Sequence, residues 1–197
     1  MIIGITGGTG SGKSTLLRLI AEQGGLILDC DAIYHHLLQT DTHLLQAIEN
    51  RFPGTVTDGI LDRKKLGGIV FNDENALQEL NVITHAAVKA EVLHQLEAKP
   101  SLAAIDAIGL FEGDLASVCD VTVAVTAPEE LRLERIMARD GISAEQAKLR
   151  MAAQKDADYY AARCDHVFVN NAETPEELAR EAEKYIKNLI KTIKEED

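Results

Sequence analysis

The sequence lacks the features on which several classes of protein depend. Among its 197 residues there is no tryptophan, and there are only three cysteines and four prolines. No apolar run approaches the roughly 18–20 residues that a membrane-spanning helix needs, and the first residues have neither the basic region nor the cleavage site of a signal peptide. Three cysteines without a Cys-x-x-Cys pattern exclude a disulfide framework and suit a reducing compartment. We therefore expect a cytoplasmic protein with no membrane partner.

Positive charge is also scarce. The 20 Lys and Arg residues are outnumbered by 32 Asp and Glu residues, which gives a formal net charge of −12. Such a chain repels nucleic acid, so none is expected as a partner. A site for phosphate must then be built from backbone amides and a few basic side chains. These are densest between Arg132 and Arg163, where the alternative reading is a set of solvated helix faces.

Short apolar runs alternate with helical patterns along the chain. The runs predict five buried parallel strands, at residues 1–6, 26–28, 102–106, 121–126 and 167–169. Helices between them give an α/β fold with a doubly wound five-stranded parallel sheet. Between the second and third strands we expect helices only, over residues 36–52, 62–71 and 73–99.

The expected organisation is one domain over residues 1–197 with an inserted lobe. Its parts are a core (1–34, 100–135 and 163–197), a helical acceptor lobe (35–99) and a lid (136–162). Pro128 is expected in the first turn of a helix. Ser143 and Gln146 predict a capping box, and Thr174 with Pro175 predicts the start of the last helix.

Residues 7–14 read Gly-Gly-Thr-Gly-Ser-Gly-Lys-Ser, which fits the phosphate-loop pattern G-x-x-x-x-G-K-[ST]. The loop follows a strand and opens a helix, so backbone amides and the helix N-terminus are directed at phosphate. This predicts a P-loop NTPase fold and a kinase that uses ATP and Mg²⁺. Lys13 would reach the β- and γ-phosphates, and the Ser14 hydroxyl would bind Mg²⁺. The predicted nucleotide site comprises Gly8, Gly10, Ser11, Gly12, Lys13, Ser14 and Thr15.

Carboxylates end two of the predicted strands. Asp29 and Asp31 follow the second strand, where either could orient and deprotonate an acceptor hydroxyl. The alternative is that Asp31 caps a helix over residues 32–38. Asp106 ends the third strand in a Walker B-like position and could hold Mg²⁺ through water, although aspartate is common at strand ends.

Arg139 lies at the predicted hinge into the lid. An arginine over transferring phosphates stabilises the charge of the transition state. The alternative is an arginine that interacts with the C-terminal end of its helix. The six histidines form no His-x-x-His or His-Glu-x-x-His pattern, so metal binding by them is not expected.

These motifs leave three function classes open. The first is a kinase for a small, soluble acceptor, and the second is a nucleoside- or nucleotide-type kinase on the same scaffold. The third is a non-catalytic nucleotide switch with a protein partner. The Asp29–Asp31 cluster and Arg139 argue against a switch.

Taken together, these segments resemble the dephospho-coenzyme A kinase family over nearly the whole chain. Residues 5–14 are similar to the family's I/L-T-G-G-I-G-S-G-K-S, with Thr9 in place of Ile, and residues 28–33 to I-D-A-D-x-I. Further similar segments are residues 61–71, 137–140, 150–154 and 164–170.

The resemblance implies transfer of the γ-phosphoryl group of ATP to the ribose 3′-hydroxyl of dephospho-CoA, with a lid and an acceptor lobe that close over substrate. It implies Asp31, Lys13 and Arg139 as catalytic residues and places Asn170 on the adenine side of ATP. We expect a monomer or weak homo-oligomer. The implied substrate contacts are Thr6, Asp31, Arg63, His85, Lys89, Phe111 and Arg150.

Four positions depart from the family pattern. Ala86 and Ile108 replace prolines, Tyr160 stands where a basic residue is common, and Ala172 replaces a glycine. Most of them fall on the implied acceptor side or the lid. A divergent paralogue with another small acceptor is therefore the alternative to dephospho-CoA kinase.

Overall fold

The structure is a computed structural model that describes residues 1–196. Its strands are β1 (Ile2–Thr6), β2 (Leu26–Asp29), β3 (Val56–Thr57), β4 (Ile60–Leu61), β5 (Ala103–Asp106), β6 (Val121–Thr126) and β7 (His166–Val169). Its helices are α1 (Lys13–Glu22), α2 (Cys30–Thr40), α3 (Thr42–Arg51), α4 (Arg63–Val70), α5 (Glu74–Leu96), α6 (Glu129–Asp140), α7 (Ala144–Ala152), α8 (Ala157–Ala161) and α9 (Pro175–Glu196).

The chain divides into two compact units. Unit 1 comprises Met1–Ile27, Pro100–Leu110 and the chain from Ala116 to the C-terminus. Unit 2 comprises Leu28–Lys99 and Phe111–Leu115. The partition into core, acceptor lobe and lid stays a prediction, and Asp197, with which the predicted core ends, lies outside the described residues.

The main sheet has the strand order β2-β5-β1-β6-β7. Strand β1 pairs in parallel with β5 and β6, and β6 pairs in parallel with β7. Ile3 and Ile5 of β1 are completely buried, because helices cover both faces of a parallel sheet. The apolar faces of α1 and α9 complete this core. The predicted α/β class with a five-stranded parallel sheet is confirmed.

Unit 2 contains a β-hairpin that the sequence analysis did not predict. β3 and β4 pair antiparallel, which corrects the expectation that this region holds helices only. Asp58 and Gly59 form the turn with φ of 52° and 75°. Asp-Gly is a favoured pair for a two-residue hairpin turn, since both residues tolerate positive φ.

The predicted helix over residues 36–52 is two helices. α2 ends at Thr40 and α3 begins at Thr42, because Asp41 adopts an extended backbone. The Asp41 carboxylate accepts hydrogen bonds from the amides of His43 and Leu44, so it caps α3.

The other helix ends follow the predicted signals only in part. Ser143 and Gln146 form the expected capping box of α7. Pro128 precedes α6 rather than lying in its first turn. α6 continues past residue 136, the predicted start of the lid, and ends at Asp140, with Gly141 (φ 63°) as its C-cap residue. The short helix α8 was not predicted.

Among residues 1–196 no helix is both long and apolar enough to cross a membrane.

Asp165 ties the chain before β7 to the start of β6. Its carboxylate accepts hydrogen bonds from the Thr122 amide (2.8 Å) and hydroxyl (2.7 Å), which hold the pKa of Asp165 below its ordinary value of 3.8. A lowered pKa stabilises the fold above the ordinary value, and this stabilisation is lost as the pH falls through the folded-state pKa.

We expect Asp165→Asn to lower the free energy of unfolding by about 1 kcal/mol at neutral pH. The difference should shrink as the pH falls from 3.8. Urea unfolding at several pH values measures both effects, with the exposed Glu181→Gln variant on α9 as the control. If the loss of unfolding free energy in Asp165→Asn did not change with pH, the charge of the Asp165 carboxylate would not contribute to it.

Candidate active site

The phosphate loop connects β1 to α1 through glycines that accept unusual backbone geometry. Gly7 has φ 136°, and a Cβ there would lie 2.1 Å from the Val125 carbonyl oxygen. Gly12 has φ 104°, and a Cβ there would lie 2.4 Å from Nδ2 of Asn170. The loop therefore fits between β6 and Asn170 only because both positions lack a side chain.

The N-terminal turn of α1 is suited to an anion. Gly12 is its N-cap residue, and in the described structure no side chain caps this turn and no acidic residue lies in it. Its backbone donors and the positive end of the helix dipole are thus available to phosphate. Nζ of Lys13 donates to the Gly7 carbonyl at 2.7 Å. Ser14 is exposed, and Thr15 and Gly10 are half-buried.

Asn170 and Arg135 support the loop from the β7 side. Asn170 is completely buried, and its Nδ2 donates to the Ser11 carbonyl at 2.7 Å. Arg135 of α6 donates to the carbonyls of Gly10 (3.3 Å) and Ala172 (2.8 Å). These bonds fix backbone carbonyls on both sides of the loop.

Three arginines of α6 reach the phosphate loop. Arg132, Arg135 and Arg139 are spaced three and four residues apart, so they share one helix face. Nη2 of Arg139 lies 3.4 Å from Oγ1 of Thr9. Arg139 also donates two hydrogen bonds to Asp140, which lower the pKa of that carboxyl group. Arg139 thus lies beside the loop, as predicted, and its side chain is largely exposed.

The predicted lid segment contacts the loop directly. Oε1 of Gln154 accepts a hydrogen bond from the Thr9 amide at 2.8 Å, which occupies one of the donors of the loop. Arg150 of α7 donates to Asp140 at 2.5 Å. Asp140 therefore links two arginines, Arg139 and Arg150, next to the phosphate loop.

The magnesium ligands predicted from the sequence, Ser14 and Asp106, both lie in unit 1. Asp106 ends β5 beside Ile5 of β1, one residue before the strand ends at Thr6. Among the side chains that the structure describes, those of residues 1–195, no three metal-binding groups form a cluster. Because Mg²⁺ usually takes one or two protein ligands together with substrate phosphates and water, one hydroxyl and one carboxylate fit it.

Thr6 is completely buried, and its hydroxyl donates to the Ile108 carbonyl at 3.2 Å. It thereby fixes the segment after β5 at the start of the phosphate loop. Its implied contact with substrate stays a prediction.

The two carboxylates after β2 have different roles. Asp29 caps α2, because its Oδ1 accepts from the Ala32 amide at 2.9 Å. The alternative that Asp31 is the cap is therefore wrong. Asp31 lies exposed in the first turn of α2, where its carboxylate remains available to an acceptor.

Unit 2 carries the other implied acceptor residues. Arg63, at the start of α4, lines a pocket of about 180 Å³ together with Tyr34, Leu66 and Phe71. Burial raises the pKa of Tyr34, and nearby Arg63 opposes this shift. Lys89 of α5 donates to Asp114 at 2.5 Å.

His85 and Phe111 are half-buried in unit 2. His85 and Lys89 are four residues apart on α5, so they lie on the same face of that helix. The contacts of these unit 2 residues with substrate stay predictions.

Arg132, Arg135 and Gln154 have site roles that were not predicted from the sequence. The spacing of the arginines around Arg139 was the available signal for the first two. Gln154 contacts Thr9 across 145 residues of sequence, and its place in the lid motif was the only indication. Two of the four departures, Tyr160 and Ala172, are buried in unit 1.

The chain is similar to known proteins over most of its length. The family model described as Dephospho-CoA kinase matches residues 1–176. A dephospho-CoA kinase of Anaeromyxobacter dehalogenans is 40% identical over 194 residues, which cover 95% of this chain and 92% of the relative.

Solved structures give the same result. A crystal structure from Thermus thermophilus has a TM-score of 0.80 and 31% identity, over 96% of this chain and 97% of that one. The dephospho-CoA kinase of Campylobacter jejuni has a TM-score of 0.68 and 27% identity, over 97% and 98% of the two chains. With a phosphate loop, a supporting set of arginines and a family match over most of its length, the chain belongs to the dephospho-CoA kinase family.

Proposed function

We propose that this protein transfers the γ-phosphoryl group of ATP to the ribose 3′-hydroxyl of dephospho-CoA, the last step of coenzyme A biosynthesis. The observation that carries the proposal is the uncapped N-terminus of α1 behind a complete phosphate loop, in a chain whose family match covers residues 1–176. The acceptor is a small molecule, and the phosphate donor is a nucleotide.

On the nucleotide side, the loop from Gly8 to Thr15 would hold the phosphates of ATP. Lys13 would exchange its bond with the Gly7 carbonyl for the β- and γ-phosphate oxygens. Asn170 would act through the loop, since its side chain is committed to Ser11. Ser14 and Asp106 would hold Mg²⁺, which neutralises phosphate charge when bound.

On the acceptor side, Asp31 would be the general base. As the ribose oxygen forms its bond to the γ-phosphorus, the bond from that phosphorus to the bridging oxygen breaks and ADP leaves. The hydroxyl proton passes to the Asp31 carboxylate. The exposure of Asp31 and the commitment of Asp29 to a helix cap support this assignment.

Arg139 would stabilise the charge that builds on the transferring group. Its partner Asp140, shared with Arg150, would set its orientation. The remaining substrate contacts are proposed at Thr6, Arg63, His85, Lys89, Phe111 and Arg150. We further propose that the protein works in the cytoplasm as a monomer or weak homo-oligomer.

An acceptor panel at fixed ATP and Mg²⁺ tests the proposal. We expect ADP release to depend on dephospho-CoA, and kcat/KM for nucleosides, nucleotides and shikimate to be at least about 10³-fold lower. Comparable kcat/KM for a nucleoside would instead support the divergent paralogue.

A further inference from the structure

A buried arginine lies against the phosphate loop. Arg132 of α6 is only 8% exposed, and its Nε donates to the Thr9 carbonyl at 2.9 Å. Its Nη2 is buried without a hydrogen-bond partner in the described structure. A buried donor that has lost water and gained no partner destabilises a fold. Such a group needs an explanation, and a functional use of its charge is one.

The loop is shaped around this guanidinium group. A Cβ at Gly8 would lie 2.4 Å from Nη2 and 2.8 Å from Cζ of Arg132. Only glycine therefore lets the guanidinium group lie against the loop backbone at this point. The Arg132 guanidinium group thus occupies the space that a side chain at position 8 would need.

The surroundings of Arg132 hold little compensating charge. Burial lowers the pKa of its guanidinium group, and Tyr160 and Glu129 partly oppose that shift. Tyr160 is 1% exposed and carries no positive charge. Arg132 thus brings a positive charge to a buried place beside Tyr160, which is uncharged.

We propose that Arg132 is a positioning residue for ATP, which fixes the Gly8–Thr9 segment and supplies positive charge behind it. It acts through the loop and does not touch the reacting atoms. The proposal rests on the proposed function only for the identity of the nucleotide. Its charge should favour binding of a polyanion to the loop amides.

The test is direct binding of a fluorescent ATP analogue with Mg²⁺, in the absence of any acceptor. Arg132→Gln keeps a donor for the Thr9 carbonyl but removes the charge, and we expect its Kd to rise about tenfold. Its melting temperature should not fall, because an unpaired buried donor is removed. Arg132→Lys, which keeps the charge, should remain within about threefold of the unsubstituted protein.

A compensating substitution separates charge from packing. The double variant Arg132→Gln/Tyr160→Lys returns a cation from the neighbouring position, and we expect it to recover most of the lost affinity. The exposed Arg180→Gln variant on α9 is the control for general loss of positive charge.

Three results would overturn the proposal. The first is a Kd for Arg132→Gln within about twofold of that of the unsubstituted protein. The second is a Kd for Arg132→Lys as weak as that of the Gln variant. The third is a folded double variant that recovers none of the lost affinity. If Arg132→Gln does not fold, the Lys variant decides. Tight ATP binding without phosphorylation of dephospho-CoA would instead contradict the proposed function and leave this test intact.

Discussion

Replacing Asp31 with Asn is expected to lower kcat about 10³-fold. The carboxamide is nearly the same size but cannot take the proton of the attacking hydroxyl. Because Asp31 lies exposed in the first turn of α2, the substitution should leave the fold and the Kd for ATP almost unchanged. Steady-state ADP release with dephospho-CoA, together with equilibrium ATP binding, measures the two effects separately.

The matched control is Asp29→Asn. Asparagine caps helices as well as aspartate does, so it can still accept from the Ala32 amide. We expect this variant to keep activity within about threefold. If the Asp29 variant lost turnover while the Asp31 variant kept it, the assignment of the base would be reversed. Equal loss of turnover and ATP binding in Asp31→Asn would also contradict it.

Replacing Arg139 with Gln is expected to lower kcat by about 10³-fold, with a much smaller change in the Kd for ATP. The reason is that the charge on the transferring group grows in the transition state. Arg139 is 61% exposed on its side chain and is oriented by Asp140. Its removal should therefore affect the reaction rather than the stability of unit 1.

Two further variants separate charge from orientation at this arginine. Asp140→Asn keeps Arg139 but weakens the two hydrogen bonds that orient it, so we expect a smaller loss of kcat, about tenfold. Arg18→Gln on α1 removes an exposed, surface-paired arginine and should have no effect. A loss of ATP binding equal to the loss of kcat in Arg139→Gln would show that its contribution is not specific to the transition state.

The parts of the fold that sequence reasoning predicted are those with strong local signals. The apolar runs gave the five strands of the main sheet, and the loop after β1 was evident from its glycines and the Lys13-Ser14 pair. Capping residues marked the helix ends, as at Ser143 and Gln146. Each of these patterns is set within a few residues, so no distant contact is needed to recognise it.

The errors in unit 2 came from weak local signals between helices. The Asp58-Gly59 turn is a hairpin signal, but the strands on either side have two residues each. Asp41 was not recognised as a cap because apolar residues continue on the helical period across it. Likewise, α2 begins at Cys30, two residues before the predicted start at residue 32. Asp29 and not Asp31 therefore accepts the hydrogen bond from the Ala32 amide.

The remaining site residues required the tertiary structure. Arg132 and Arg135 have the spacing of one helix face, but sequence does not say that this face meets the phosphate loop. The contact between Gln154 and Thr9 joins segments 145 residues apart. Long-range pairs of this kind depend on how the helices pack on the sheet, which a motif does not encode.

The most direct test of the central claim is the identity of the product. The protein would be incubated with ATP, Mg²⁺ and dephospho-CoA, and the product analysed by mass spectrometry and by phosphorus NMR. We predict that ADP forms only with the acceptor present, and that the product carries one added phosphoryl group at the ribose 3′-oxygen. ATP binding with no such product, or a phosphoryl group on another oxygen, would contradict the account.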